Sequence, residues 1–83
     1  MSRRRVKWGQ ARRYFQRRGY EIVSRGGDKL IKAPAGKVPG SGRSVVRIGH
    51  KYCTRSSDEL LPSYLSLFRR AFGVTAEDIL GES

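Results

Sequence analysis

Apolar residues along this chain recur with two periods, and the change from one to the other marks out the elements. Trp8, Ala11 and Phe15 fall at i, i+3 and i+7, with Tyr14 beside them. Arg12, Arg13, Gln16 and Arg17 lie between, so residues 7–18 predict an amphipathic helix. Gly19 supplies its stop. Residues 20–25, Tyr-Glu-Ile-Val-Ser-Arg, read as a strand, and Gly26-Gly27 as a hairpin turn. A second strand is expected over 29–33, where Lys29 and Lys32 interrupt the apolar residues and Pro34 ends the run. Val45, Val46 and Ile48 mark a third strand within 43–49.

The helical period then returns. Leu61, Leu65, Phe68 and Phe72 fall at i, i+4, i+7 and i+11, which predicts a helix over 62–72. Pro62 suits its first turn, where a missing N–H costs nothing. Ser57 or Asp58 is the expected cap, and Gly73 the stop. Thr75 looks like the N-cap of a short further turn, with Glu77 and Asp78 complementing its positive end. The order α-β-β-β-α predicts an α+β two-layer domain, with helices on one face of a three-stranded antiparallel sheet. One domain is expected over 7–80, with a basic tail at 1–6 and a short tail at 81–83. Segment 33–42 is rich in glycine and proline and reads as a loop, either a solvated tip or a binding element.

Charge changes this picture most. Sixteen of the 18 Lys and Arg residues lie in the first 55 positions, against only Glu21 and Asp28, a net of +14. The last 28 residues carry Arg69 and Arg70 against five carboxylates, a net of −3, which leaves +11 overall. So small a domain displays most of its charge, and a dense positive field favours polyanions by releasing their counterions. Nucleic acid is the first expectation, gripped by Arg12, Arg13, Arg17, Arg25, Lys29, Lys32 and Arg47 on one continuous cationic surface. Tyr20 or Trp8 could add a stacked base where a ring is exposed.

Other chemistry is thin. A single cysteine, Cys53, excludes an intrachain disulfide and fits a reducing, cytoplasmic setting. One Cys and one His cannot build a structural zinc site, so no metal is expected. The glycines at 36, 40, 42 and 49 form no phosphate-loop pattern, and no cofactor is implied. No run approaches the length of a membrane span. Ser56, Ser57 and Asp58 near His50 lack any nucleophile-elbow context.

Taken in order, these residues resemble the HicA family of bacterial toxin–antitoxin systems. Asp58-Glu59-Leu60-Leu61-Pro62-Ser63-Tyr64-Leu65 is similar to the family's "KELKPGTL" type of sequence. Phe68-Arg69-Arg70 and the stretch from Gly73 to Leu80 continue it as second helix, glycine stop and acidic turn. Residues 14–23 look like the family's first helix, its "GW" or "GF", and strand one. Ile48-Gly49-His50 sits where the family often has "VPxH". The resemblance spans about residues 7–80. It implies a fold like that of double-stranded-RNA-binding domains, an mRNA-cleaving activity, and a HicB-like antitoxin partner.

The family's cleavage depends on a histidine in a "GSHH"-like segment. Here that segment is Gly26-Gly27-Asp28-Lys29, and Asp28 stands in the histidine's place. An exposed aspartate is ionised at pH 7, so it is a weak base and no acid. Candidate catalytic residues are therefore Asp28, Lys29 and His50, the only imidazole. Two other readings stay open: a non-catalytic nucleic-acid-binding module, and a small protein that binds an acidic protein target.

Overall fold

The computed structural model describes residues 5–34 and 45–82. The basic start at 1–4, residues 35–44 (most of the 33–42 loop and the first two positions expected of the third strand) and Ser83 lie outside the described residues. The elements run α1 (Trp8–Arg17), β1 (Glu21–Arg25), β2 (Asp28–Lys32), β3 (Val45–Ile48), a 3₁₀ turn at His50–Tyr52, α2 (Pro62–Phe72) and α3 (Ala76–Glu82). This is the α+β, α-β-β-β-α layout, with the last turn grown into a helix of 7 residues. The strands form an antiparallel meander in the order β1-β2-β3.

The register decides what each face carries. Ile22 pairs with Ile31, which pairs with Val46. Cross-strand partners share a face, and side chains alternate along each strand. Ile22, Ile31, Val46 and Ile48 therefore point toward the helices. The opposite face holds Glu21, Val23, Arg25, Asp28, Leu30, Lys32, Val45 and Arg47. Ile31 and Ile48 are fully buried, while Val45 is 39% exposed.

An aromatic cluster fills the space between the layers. Phe15 of α1 lies 5.0 Å from Phe68, 5.6 Å from Phe72 and 4.8 Å from Tyr20, ring centre to ring centre. Trp8, Phe15 and Phe68 are essentially inaccessible. These are the apolar positions whose helical spacing predicted α1 and α2.

The start of α1 is built in an unexpected way. Its N-cap, Lys7, makes no side-chain cap bond. The Trp8 and Gly9 amides instead donate to the carbonyls of Asp58 (2.7 Å) and Ser56 (2.9 Å). Leu60 N–H donates to Val6 O at 2.9 Å and completes the seam. Donors that a helix normally leaves unpaired are thus satisfied by a loop some fifty residues later. Gly9 permits the approach: a Cβ there would stand 2.8 Å from Ser56 Cβ and 3.1 Å from Ser56 O.

The expected capping of α2 is corrected by the same loop. Asp58 does not cap α2. Its carboxylate accepts from the amides of Thr54 (3.0 Å) and Arg55 (2.7 Å), tying 54–58 into a compact turn. Leu61 is the N-cap of α2 and has no side-chain bond, with Pro62 entering the first turn. At α3 the expected cap is present. Thr75 Oγ1 accepts from Asp78 N–H at 3.2 Å, and Asp78 accepts from Thr75 N–H at 3.0 Å.

Candidate nucleic-acid interface and the Asp28–His50 cluster

The outer face of α1 carries the densest set of sequence-predicted cations. The inner face buries Trp8, Ala11, Tyr14 and Phe15, so Arg12, Arg13, Gln16 and Arg17 point outward and are exposed. A shallow groove of about 310 Å³ runs along the first half of the helix. Lys7, Gly9, Gln10, Arg12, Arg13, Gln16 and Ser56 line it, and none of them is acidic. Arg12 reaches across to Ser56 Oγ at 3.4 Å. Sequence reading missed Lys7, Gln10, Gln16 and Ser56. The first three could be found by continuing the outward stripe of α1, but Ser56 arrives only through the loop seam.

The helix N-terminus is not itself an anion site. Its first amides are already bonded to the 56–58 carbonyls, so an anion in this groove meets side chains alone.

The other predicted cations lie elsewhere, which corrects the expectation of one continuous surface. Arg25, Lys32 and Arg47 share the open face of the sheet, on the far side of the molecule from α1. Lys32 pairs across the strands with Glu21 and Val45. Lys29 is on the helix-facing side and donates to Ser24 Oγ at 2.7 Å. The one-residue alternation of a strand divides this set, whereas the helical stripe holds together.

Trp8 is not available to bases, and Tyr20 is only half-exposed. Tyr20 packs on Phe15 and on Phe72, 5.0 Å away, and its burial pushes the hydroxyl pKa up against the lowering effect of Arg18. Trp8 is 2% exposed.

Two of the three candidate catalytic residues come together at the rim of the sheet. Asp28 accepts from Arg47 Nε at 2.7 Å and from the His50 amide at 3.0 Å. His50 Nδ1 stands 3.9 Å from Asp28 Oδ1, too long for a direct hydrogen bond but close enough for attraction to an imidazolium. Lys29 faces the other way. Arg47 is the residue that joins the cluster instead. Gly27, at φ +94°, lets the hairpin turn close on His50, because a Cβ there would lie 3.2 Å from His50 Cβ.

Asp28 has its pKa lowered, first by the Arg47 hydrogen bond and next by the His50 amide, against a raising effect of partial burial. It is therefore held as a carboxylate and is a poorer base than an ordinary aspartate. The sign for stability follows. Its contribution is complete above the ordinary carboxylate pKa, about 4, and is lost as pH falls through the lower folded value. In an acid titration, Asp28→Asn should flatten the part of the stability profile below about pH 4. A profile unchanged by the substitution would mean that the pairing contributes nothing.

Cys53 is buried beside this cluster. Its thiol contacts the carbonyl oxygens of Gly49 (3.3 Å), Ile48 (3.6 Å) and Gly27 (3.7 Å). Burial pushes its pKa up, partly offset by Lys29, so the reactive thiolate is disfavoured.

Among the described residues, no group of three His, Cys, Asp or Glu side chains could hold a metal ion. No described helix is long and apolar enough to cross a membrane. Compared with protein-family profiles, curated proteins and solved structures, the chain matches none.

Proposed function

We propose that the chain is a HicA-like RNA-binding protein, a toxin or a toxin-derived component of a toxin–antitoxin pair. It grips the RNA backbone with the outer face of α1. The observation that carries this reading is the groove on α1, where Lys7, Arg12 and Arg13 stand among amide and hydroxyl groups with no carboxylate. The cations supply affinity for phosphate, and Gln16 and Ser56 can donate to or accept from ribose hydroxyls. The resemblance of residues 7–80 supports the family, and the α-β-β-β-α order agrees with it. A HicB-like antitoxin is the partner this reading implies, and the cytoplasm the compartment.

Backbone contact dominates because no aromatic ring stands fully exposed for stacking. The chain has eight aromatic residues, one Trp, four Tyr and three Phe. Five are buried, and the other three pack against rings: Tyr20 on Phe15 and Phe72, and Tyr52 with Tyr64 at 5.5 Å. Single-strand binders draw about 1–3 kcal/mol per base from such stacking. Here the half-buried tyrosines leave that source small.

Binding should therefore depend steeply on salt. With Lys7, Arg12, Arg13 and Arg17 each neutralising a phosphate, log K against log salt concentration should have a slope of about −3 to −4. Fluorescence anisotropy with a labelled RNA, from low to physiological salt, measures it. A flat dependence would point to an acidic protein as the target and remove this reading.

A further inference from the structure

We propose that the groove between the end of α1 and the α2–α3 turn is a pocket for one guanine of a bound single-stranded RNA. Asp78 meets the edge of the base, and Arg17 and Arg18 meet its phosphate. This rests on the reading of the chain as an RNA-binding protein and gives that reading a base preference.

The groove has a volume of about 580 Å³, larger than the one along the first half of α1. Pockets for small organic ligands run from about 300 to 1,000 Å³. Its lining also differs in kind. Cations, aromatic rings and a carboxylate share one concavity: Arg17, Arg18, Tyr20, Phe72, Val74 and Asp78. Phe72 and Val74 are buried and supply an apolar floor, with Tyr20 half-exposed beside them. Arg17, Arg18 and Asp78 are exposed.

Two of the polar groups are held before any ligand arrives. The Arg18 guanidinium lies 4.6 Å from the centre of the Tyr14 ring, a cation–π contact. Asp78 Oδ2 accepts from the Thr75 amide at 3.0 Å, and the Asp78 amide donates to Thr75 Oγ1 at 3.2 Å. The reciprocal cap that starts α3 therefore fixes the carboxylate at the groove.

That carboxylate decides which base fits. An ionised carboxylate only accepts hydrogen bonds, and the bond to Thr75 uses one of roughly four acceptor positions. Unpaired RNA bases are read on their Watson–Crick edges. Only guanine carries two adjacent donors there, N1–H and the 2-amino group. Adenine and cytosine place an acceptor nitrogen beside their amino group, and uracil flanks its N–H with two carbonyl oxygens. Each of these sets a lone pair against Asp78. The flat face of the base meets the apolar lining, and a phosphate on Arg17 and Arg18 makes charge-assisted hydrogen bonds.

A strand reaches this pocket directly from the first groove. Arg13 and Arg17 are four residues apart on α1, so they are neighbours on one face, about 6 Å apart along the axis. RNA backbone lying on Lys7, Arg12 and Arg13 continues to Arg17 and brings a base to the pocket beside it.

Labelled RNA octamers, uridine throughout except at one central position, are titrated with the full chain and followed by fluorescence anisotropy. The central nucleoside is guanosine, inosine, adenosine or uridine. Guanosine should bind at least about tenfold tighter than adenosine or uridine. Inosine keeps N1–H but lacks the 2-amino group, and should fall between them. Asp78→Asn keeps an oxygen for the Thr75 amide and replaces the other acceptor by a donor. It should cut the guanosine preference to below about threefold and leave affinity for the all-uridine octamer within about twofold of the wild type. Arg17→Ala should weaken all four octamers alike, as loss of a phosphate contact does. A circular-dichroism melt checks that each variant is folded, and the wild-type series decides by itself should a variant unfold. Equal affinity of the wild type for the four octamers, or an undiminished guanosine preference in folded Asp78→Asn, would overturn the pocket and leave backbone binding on α1 intact. Failure of the wild type to bind any octamer would remove both.

Discussion

Replacing Arg12 and Arg13 together by glutamate should weaken RNA binding on the order of 100-fold at physiological salt and reduce the salt slope by about two. Both side chains are exposed on α1 and line one groove, so two phosphate contacts are lost and two like charges are set against the backbone. The fold should be indifferent. Arg12 makes one long hydrogen bond to the exposed Ser56 hydroxyl, and exposed positions of this kind rarely shift stability by more than about 0.5 kcal/mol. The control is Arg25→Glu with Lys32→Glu, which makes the same charge change on the open face of the sheet. If both pairs weaken binding equally, net charge alone governs the interaction and α1 has no special role. If only the α1 pair does so, the interface is placed. Titrations of the three proteins against one labelled RNA decide between these outcomes.

The second large effect is on the fold. Phe15→Ala should cost about 3–5 kcal/mol. A domain of this length is expected to hold only about 4–12 kcal/mol in total, so much of the population should unfold at 37 °C. Phe15 is inaccessible to solvent and lies within ring-contact distance of Tyr14, Tyr20, Phe68 and Phe72. It ties α1 to α2 and to the residue that enters β1, so its removal leaves a cavity where three elements meet. Urea unfolding followed by circular dichroism reads the loss directly. A cost below about 1 kcal/mol would mean that the cluster collapses to fill the space, and that α1 is held chiefly by its loop seam.

That seam marks the boundary of what could be read in advance. The stripe Trp8, Ala11, Phe15 and the stripe Phe68, Phe72 are local patterns, and both helices lie where those patterns fall. The Gly26-Gly27 turn is equally local, because a two-residue hairpin needs positive φ at both positions and glycine supplies it: φ is 55° and 94°. Strand ends moved by a residue or two, since pairing and not composition terminates a strand. Asp58 was misread as a cap for α2 because a carboxylate a few residues before a helix has more than one set of amides in reach. Here it folds back on Thr54 and Arg55.

The candidate site divides along the same line. The cations of α1 belong to one helical stripe, so their grouping is written into a ten-residue window. The strand cations required the register. Once Ile31 is paired with Val46 inside the core, alternation sends Arg25, Lys32 and Arg47 to the open face and Lys29 to the other. The Asp28–His50 contact joins the starts of two segments separated by a whole strand and a loop, and no spacing along the chain encodes it.

For this protein, periodicity and charge in the chain were sufficient for the elements, their order, the buried aromatic face and the basic character of the surface. These depend on neighbours within a few positions, which a linear reading contains. Tertiary structure alone decided which cations share a face, what satisfies the first amides of α1, and that an imidazole meets Asp28. Each of these depends on groups far apart in the chain, brought together by the burial of a common core and by the need to pair polar backbone around it.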